Sequence, residues 1–185
     1  MFIQSEPTPN PLTLKFLPGR EVIESGTVFY ESANDANNSP LAKRIFSNTG
    51  VKSVFFGNNF ISVTKSADVN WQELKPLVIN AITEHYDSGE KNIEDKSKIT
   101  DPHVGQSNDS DIVLQIKDLI DTRVRPAVSM DGGDIIYEKF EEGIVYLRMQ
   151  GACSGCPSST ATLKAGIENM LKHYIPEVRE VRAVA

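Results

Sequence analysis

Cys153 and Cys156 are the two cysteines of this 185-residue chain, and they sit in the stretch Gly151-Ala152-Cys153-Ser154-Gly155-Cys156-Pro157. At that spacing two sulfurs can grip one side of a metal centre, whereas a tetrahedral zinc site or a cubane needs about four ligands. Pro157 suits the first position of a helix, which would put Cys156 at the N-cap and Cys153 in the turn before it. Unpaired backbone N–H groups and the positive end of the helix dipole then face both sulfurs. That setting favours thiolate, the form that binds metal or attacks a disulfide. Gly151 and Gly155 let backbone approach a bulky sulfide cluster, while Ser154, Ser158 and Ser159 are candidate donors rather than ligands.

Four chemistries compete for this pair. Zinc held within one chain needs two more ligands. His173 stands roughly 16 residues along the helix, about 24 Å away at ~1.5 Å per residue. His85 and His103 lie far off in sequence and read as solvated surface residues. A thioredoxin-like dithiol also sits at a helix N-terminus, but little sequence remains for the sheet that such a fold adds after its helix. Pro176 falls past the helix end, away from the thiols. Two inert thiols closing a turn is the plain structural reading. The fourth is an iron–sulfur centre shared by two subunits: two CxxC loops meeting across a two-fold axis supply four thiolates, the ligand count of a [4Fe–4S] cluster. It fits best with paired cysteines flanked by glycines at a helix start.

The elements that must position these residues fall into two groups. From Asp87 to Asp109 the sequence is rich in charge, Ser, Asn and Gly without an apolar run, the composition of a solvated linker. The expected division is a first domain at 1–87, a flexible polar linker at 88–108 and a second domain at 109–185. In the first, Leu12 to Leu17 and Thr27 to Tyr30 read as strands. Ser39 and Pro40 open a short helix through Phe46. Val51 to Phe56 and Phe60 to Lys65 flank a Gly57-Asn58-Asn59 hairpin turn. A helix follows whose apolar face includes Trp71, Leu74, Val78 and Ile82, capped by Asn70 and expected to kink at Pro76. In the second, Ile112, Ile116, Ile120 and Val124 form a helical stripe that Arg125-Pro126 should close. Asp131-Gly132-Gly133-Asp134 reads as a tight turn into strand Ile135–Phe140, which pairs with Ile144–Met149 across Glu141-Glu142-Gly143. A helix from about Pro157 to His173 and a last strand from Val178 to Val184 complete an αββαβ order. The fold class is α+β: two small sandwich-like domains of helices on sheets.

Composition narrows the function. The apolar fraction of 39% and charged fraction of 24% are those of a globular protein, and the net charge of −6 argues against nucleic acid as a partner. No apolar run approaches the ~18–20 residues that cross a bilayer, so no membrane partner is expected. Met1 to Glu6 shows neither a signal peptide nor a transit-peptide bias.

Over nearly its whole length the chain resembles the Nfu, or NifU-like, iron–sulfur scaffold and carrier proteins. The second domain carries Arg125-Pro126, Asp131-Gly132-Gly133-Asp134 and Gly151-Ala152-Cys153-Ser154-Gly155-Cys156-Pro157-Ser158-Ser159 in the family's order. The first carries Glu6-Pro7-Thr8-Pro9-Asn10-Pro11, Ser39-Pro40-Leu41-Ala42, Val54-Phe55-Phe56-Gly57 and Trp71 with Leu74-Lys75-Pro76. The resemblance implies that Cys153 and Cys156 are the cluster ligands and that a [4Fe–4S] cluster bridges a homodimer. It implies further that the cluster comes from upstream assembly factors and passes to apo iron–sulfur client proteins, with the first domain docking partners. Such a protein is a carrier and not an enzyme; a CxxC dithiol–disulfide oxidoreductase is the alternative. Arg123 or Arg125 could stand near the anionic cluster. The expected location is the bacterial cytoplasm, or the mitochondrial matrix if the chain is eukaryotic and its presequence has been removed.

Overall fold

The computed structural model describes residues 1–100, 109–154 and 157–184. The fold is α+β, in two compact units divided between Asp101 and Pro102.

The first unit is a five-stranded antiparallel sheet in the order β1-β2-β5-β4-β3, built from β1 (Gln4–Pro7), β2 (Thr13–Leu17), β3 (Val28–Tyr30), β4 (Val51–Phe56) and β5 (Ile61–Lys65). β1 was not expected: its four residues are polar or proline and mostly exposed, as suits a short edge strand. Helices α1 (Pro40–Phe46) and α2 (Trp71–Ser88) bury Leu41, Ile45, Leu74, Val78 and Ile82 among Phe16, Tyr30, Val54 and Phe56 of the sheet. Both caps read from sequence are present. Ser39 Oγ accepts from Ala42 N–H at 3.0 Å, and Asn70 Oδ1 accepts from Gln72 N–H at 3.0 Å. α2 runs through Pro76 as one helix and stops at Gly89, whose φ of +73° is the left-handed C-cap conformation.

The first part of the segment expected to be a linker belongs to the first unit. Residues 90–100 pack on the first unit. Ile93 is 8% exposed in its core. The Asn92 carbonyl accepts from Ser39 Oγ at 2.6 Å, and Asn92 Nδ2 donates to the Val22 carbonyl at 2.8 Å. Thr100 exchanges both backbone hydrogen bonds with Thr27, at 3.2 and 2.9 Å, just ahead of edge strand β3. Residues 101–108, the rest of that segment, lie outside the described residues together with His103.

In the second unit β6 (Gly133–Glu141), β7 (Ile144–Gly151) and β8 (Glu180–Val184) form a sheet in that order. β6 and β7 are antiparallel, and β8 lies parallel to β7 after the crossover helix α5 (Pro157–Tyr174). The first helical stretch departs from expectation at Arg125-Pro126. α3 (Asp111–Leu119) is followed without a break by a π-helical turn, Ile120–Val124, and then by α4 (Arg125–Met130). Proline lacks an N–H and its ring collides with the carbonyl four residues back. Widening the preceding turn relieves that collision, and Arg125 N–H reaches back five residues to Ile120 O. The stripe Ile116, Ile120, Val124 therefore runs on to Val128, all buried against Ile135, Leu147 and Ile167.

Candidate metal centre

β7 ends at Gly151, whose φ of +66° turns the chain out of the strand. Ala152 N–H donates to Gly132 O at 3.2 Å and Ser154 N–H to Gly151 O at 3.1 Å, so the cysteine turn leans on the Gly132-Gly133 corner. Cys153 lies in this turn and is 8% exposed. Thr160, in the first turns of α5, donates its hydroxyl to the Cys153 carbonyl at 3.1 Å. α5 begins at Pro157 as expected. Cys156 and Gly155 lie outside the described residues, as do the side chains of Ser158 and Ser159.

The Asp131–Asp134 stretch does more than turn the chain. Gly132 takes a φ of +81°, the corner proper. Gly133 faces Gly151 across the β6–β7 ladder, and a Cβ placed on it would lie 2.8 Å from Cys153 Sγ. Asp134 is 3% exposed and accepts from Arg125 through two oxygens, Nε to Oδ1 at 2.8 Å and Nη2 to Oδ2 at 2.6 Å. Its Oδ1 also accepts from Ile135 N–H at 2.8 Å. Arg125 Nη1 reaches Asp121 Oδ1, one helical turn back, at 3.5 Å. Burial alone would weaken the charged form of the guanidinium, yet the bonds and charges of Asp134 and Asp121 outweigh it and raise the Arg125 pKa. A bidentate ion pair of this kind braces the helix against the start of β6.

These contacts correct two expectations. Arg125-Pro126 is not a helix stop, and the Arg125 side chain is committed to carboxylates rather than waiting for an anionic cluster. Arg123 instead places its guanidinium over the Tyr174 ring at 5.1 Å. The reading of His85 is corrected as well. His85 is fully buried, with Nε2 2.9 Å from Asn92 Oδ1, rather than a solvated surface residue. His173 packs edge-on against Tyr174, with ring centroids 5.0 Å apart. Among the described residues no three His, Cys, Asp or Glu side chains gather to hold a metal ion. Gly133 and Thr160 were not singled out as neighbours of the cysteine. A glycine at a strand start was the one available hint for the former, since it marks close approach of another group.

Residues 3–89 match the family described as "Scaffold protein Nfu/NifU N terminal", and residues 116–182 match the "NifU-like domain". The chain is 48% identical, over all of its length and 72% of the relative's, to the NFU1 iron-sulfur cluster scaffold homolog, mitochondrial, of Homo sapiens. The chain belongs to the Nfu family. To NifU-like protein 4, mitochondrial, of Arabidopsis thaliana this Nfu-family chain is 52% identical, covering 98% of itself and 65% of that protein. It thus spans about two thirds of the length of relatives such as this one. A solved structure, that of the NifU-like protein from Saccharomyces cerevisiae, aligns at 31% identity over 50% of this chain and 84% of the other, with a TM-score of 0.46. Within the Nfu family match, Cys153, Gly133, Arg125 and Asp134 all fall in the second matched region. No helix among the described residues is long and apolar enough to cross a membrane.

Proposed function

We propose that this Nfu-family chain is an iron–sulfur cluster scaffold and carrier, not an enzyme, with the cluster as its cargo. Cys153 and Cys156 of each subunit would give two thiolates, and two subunits related by a two-fold axis would complete the four that a [4Fe–4S] cluster takes. The observation that carries this reading is Cys153 at the strand-to-helix turn ahead of α5, inside the region that matches the NifU-like domain. A donor set short of closure suits a centre finished by a second copy and opened again by a client. The names of the human and Arabidopsis relatives support the scaffold role and place those relatives in mitochondria. They favour the mitochondrial alternative for this chain over the bacterial cytoplasm.

Delivery proceeds by ligand exchange. A client thiolate forms an Fe–S bond as one carrier Fe–S bond breaks, and the departing Cys153 or Cys156 thiolate takes up a solvent proton. No electron moves, so the step needs no reductant. The first unit, whose own residues form a well-packed core without a metal-ligand cluster among those described, would dock clients or upstream assembly factors.

Anaerobic reconstitution with iron and sulfide tests the reading. Mössbauer spectra and light scattering should give one [4Fe–4S] cluster per two chains, and both Cys153→Ala and Cys156→Ala should abolish it. A full cluster on a single chain would overturn the shared site. Disulfide reduction by the metal-free chain, without cluster transfer to an apo-ferredoxin, would instead favour the dithiol oxidoreductase.

A further inference from the structure

The first residue of β6 has no side chain, and the space is taken by sulfur. A Cβ on Gly133 would lie 2.8 Å from Cys153 Sγ, 2.7 Å from the Gln150 carbonyl oxygen and 3.1 Å from Cys153 N. The first two distances are closer than real Cβ atoms come to any neighbour, so even alanine would force something to move. Gln150 O belongs to β7 and Gly133 is fixed in the ladder opposite Gly151. The ladder must absorb the contact with Gln150 O, and the contact with the sulfur falls on the cysteine turn. That turn is held from two sides. Asp134, next along from Gly133, is locked to Arg125 at 2.8 and 2.6 Å. Thr160 ties the Cys153 carbonyl to α5 at 3.1 Å. The result is a cysteine that is 8% exposed.

We infer that Gly133 and Thr160 are positioning residues that form a withdrawn seat for the Cys153 sulfur. The inference rests on the scaffold reading and adds regulation to it. A sulfur packed against its own strand offers little surface to a cluster several ångströms across. Cargo capture therefore requires Cys153 to leave the seat, and release lets it return. Between cargoes the seat shields the thiol from oxidants and electrophiles, whose attack depends on access to thiolate.

The test uses the full metal-free chain carrying Cys156→Ser, so that Cys153 is the one thiol, and measures its anaerobic alkylation by iodoacetamide from intact mass. The sulfur forms a bond to carbon, iodide leaves and the thiol proton goes to solvent. Gly133→Ala and Thr160→Val should each raise the rate constant about fivefold or more over the Cys156→Ser parent, since both open a site where access limits reaction. Val145→Ala, a cavity at the far end of β7, loosens the same core without touching the seat and should leave the rate within about twofold. A rate unchanged in Thr160→Val, or a rise in Gly133→Ala no larger than that of Val145→Ala, would overturn the seat. If Gly133→Ala does not fold, Thr160→Val decides alone, a fivefold rise supporting the seat and an unchanged rate overturning it. Alkylation needs no cluster, so its failure leaves the scaffold reading standing. Failed reconstitution of the wild-type chain would overturn that reading without altering the alkylation result.

Discussion

Loss of Asp134 should be felt throughout the second unit. Asp134→Ala removes two charge-assisted bonds to Arg125, at 2.8 and 2.6 Å, and the acceptor for Ile135 N–H at 2.8 Å. The guanidinium keeps Asp121 alone, 3.5 Å away. The Asp134 and Arg125 side chains are 4% and 14% exposed, so water cannot easily replace the lost partner. Breaking a buried pair on one side costs about 3–5 kcal/mol; Asp121 softens the loss, which points to about 3 kcal/mol. For a unit of this size each kcal/mol moves the melting temperature by roughly 4–8 °C, so the drop should be roughly 12–24 °C. Arg125→Met beside Asp134→Ala removes both charges and should restore at least ~1.5 kcal/mol, because an apolar pair leaves no stranded ion. Denaturation of the full chain followed by far-UV circular dichroism reads the effect. Trp71 is the chain's one tryptophan and belongs to the first unit, so its fluorescence transition should stay in place as an internal control. A single-variant loss below ~1 kcal/mol, or a double variant equal to the sum of the singles, would refute the brace.

Two further outcomes concern the first unit. Ser39 is fully buried and serves twice, accepting from Ala42 N–H and donating to the Asn92 carbonyl. Ser39→Ala should therefore cost about 1–2 kcal/mol by Trp71 fluorescence, and a loss under ~0.5 kcal/mol would show that neither bond matters. His85 is buried with its Nε2 against Asn92 Oδ1, and burial holds its pKa below the usual histidine range, against the Asn92 bond that favours charge. The unfolded chain takes up a proton near pH ~6.5 that the folded one resists. Stability is thus complete above that pH and falls as pH drops through it. Between about pH 7.5 and about 5.5 the Trp71 midpoint should decline in the parent and decline less in His85→Gln; equal slopes would remove His85 as the cause.

What was legible in the sequence was what local chemistry fixes. The helix start at Pro157, the Ser39 and Asn70 caps and both hairpins stand where side-chain type and spacing put them. The misses are places where tertiary contacts overrule a local signal. Pro126 is a helix breaker by its own chemistry, but burying Val128 keeps the helix going and a π turn absorbs the proline. The segment 90–100 has linker composition, yet one amide at Asn92 and one isoleucine at Ile93 pin it to the first unit. Nothing in their spacing announces that. His85 falls on the buried face of α2, which its helical position allowed but its polarity concealed. At the candidate centre the sequence placed Cys153 in the turn before the helix but did not reveal its neighbours. Gly133 meets Cys153 only because β6 and β7 pair in the register that sets Gly133 opposite Gly151.

The strap that ends in Thr100 also bears on the open margin of the first unit's sheet. With Thr27 satisfied by Thr100, the β3 rim of the sheet is occupied at its entry, while the opposite rim is a four-residue strand closing in Pro7. Proteolytic nicking before Ile99 would free Thr27 and lengthen the unpaired margin that begins at β3, the kind of edge on which another strand can add.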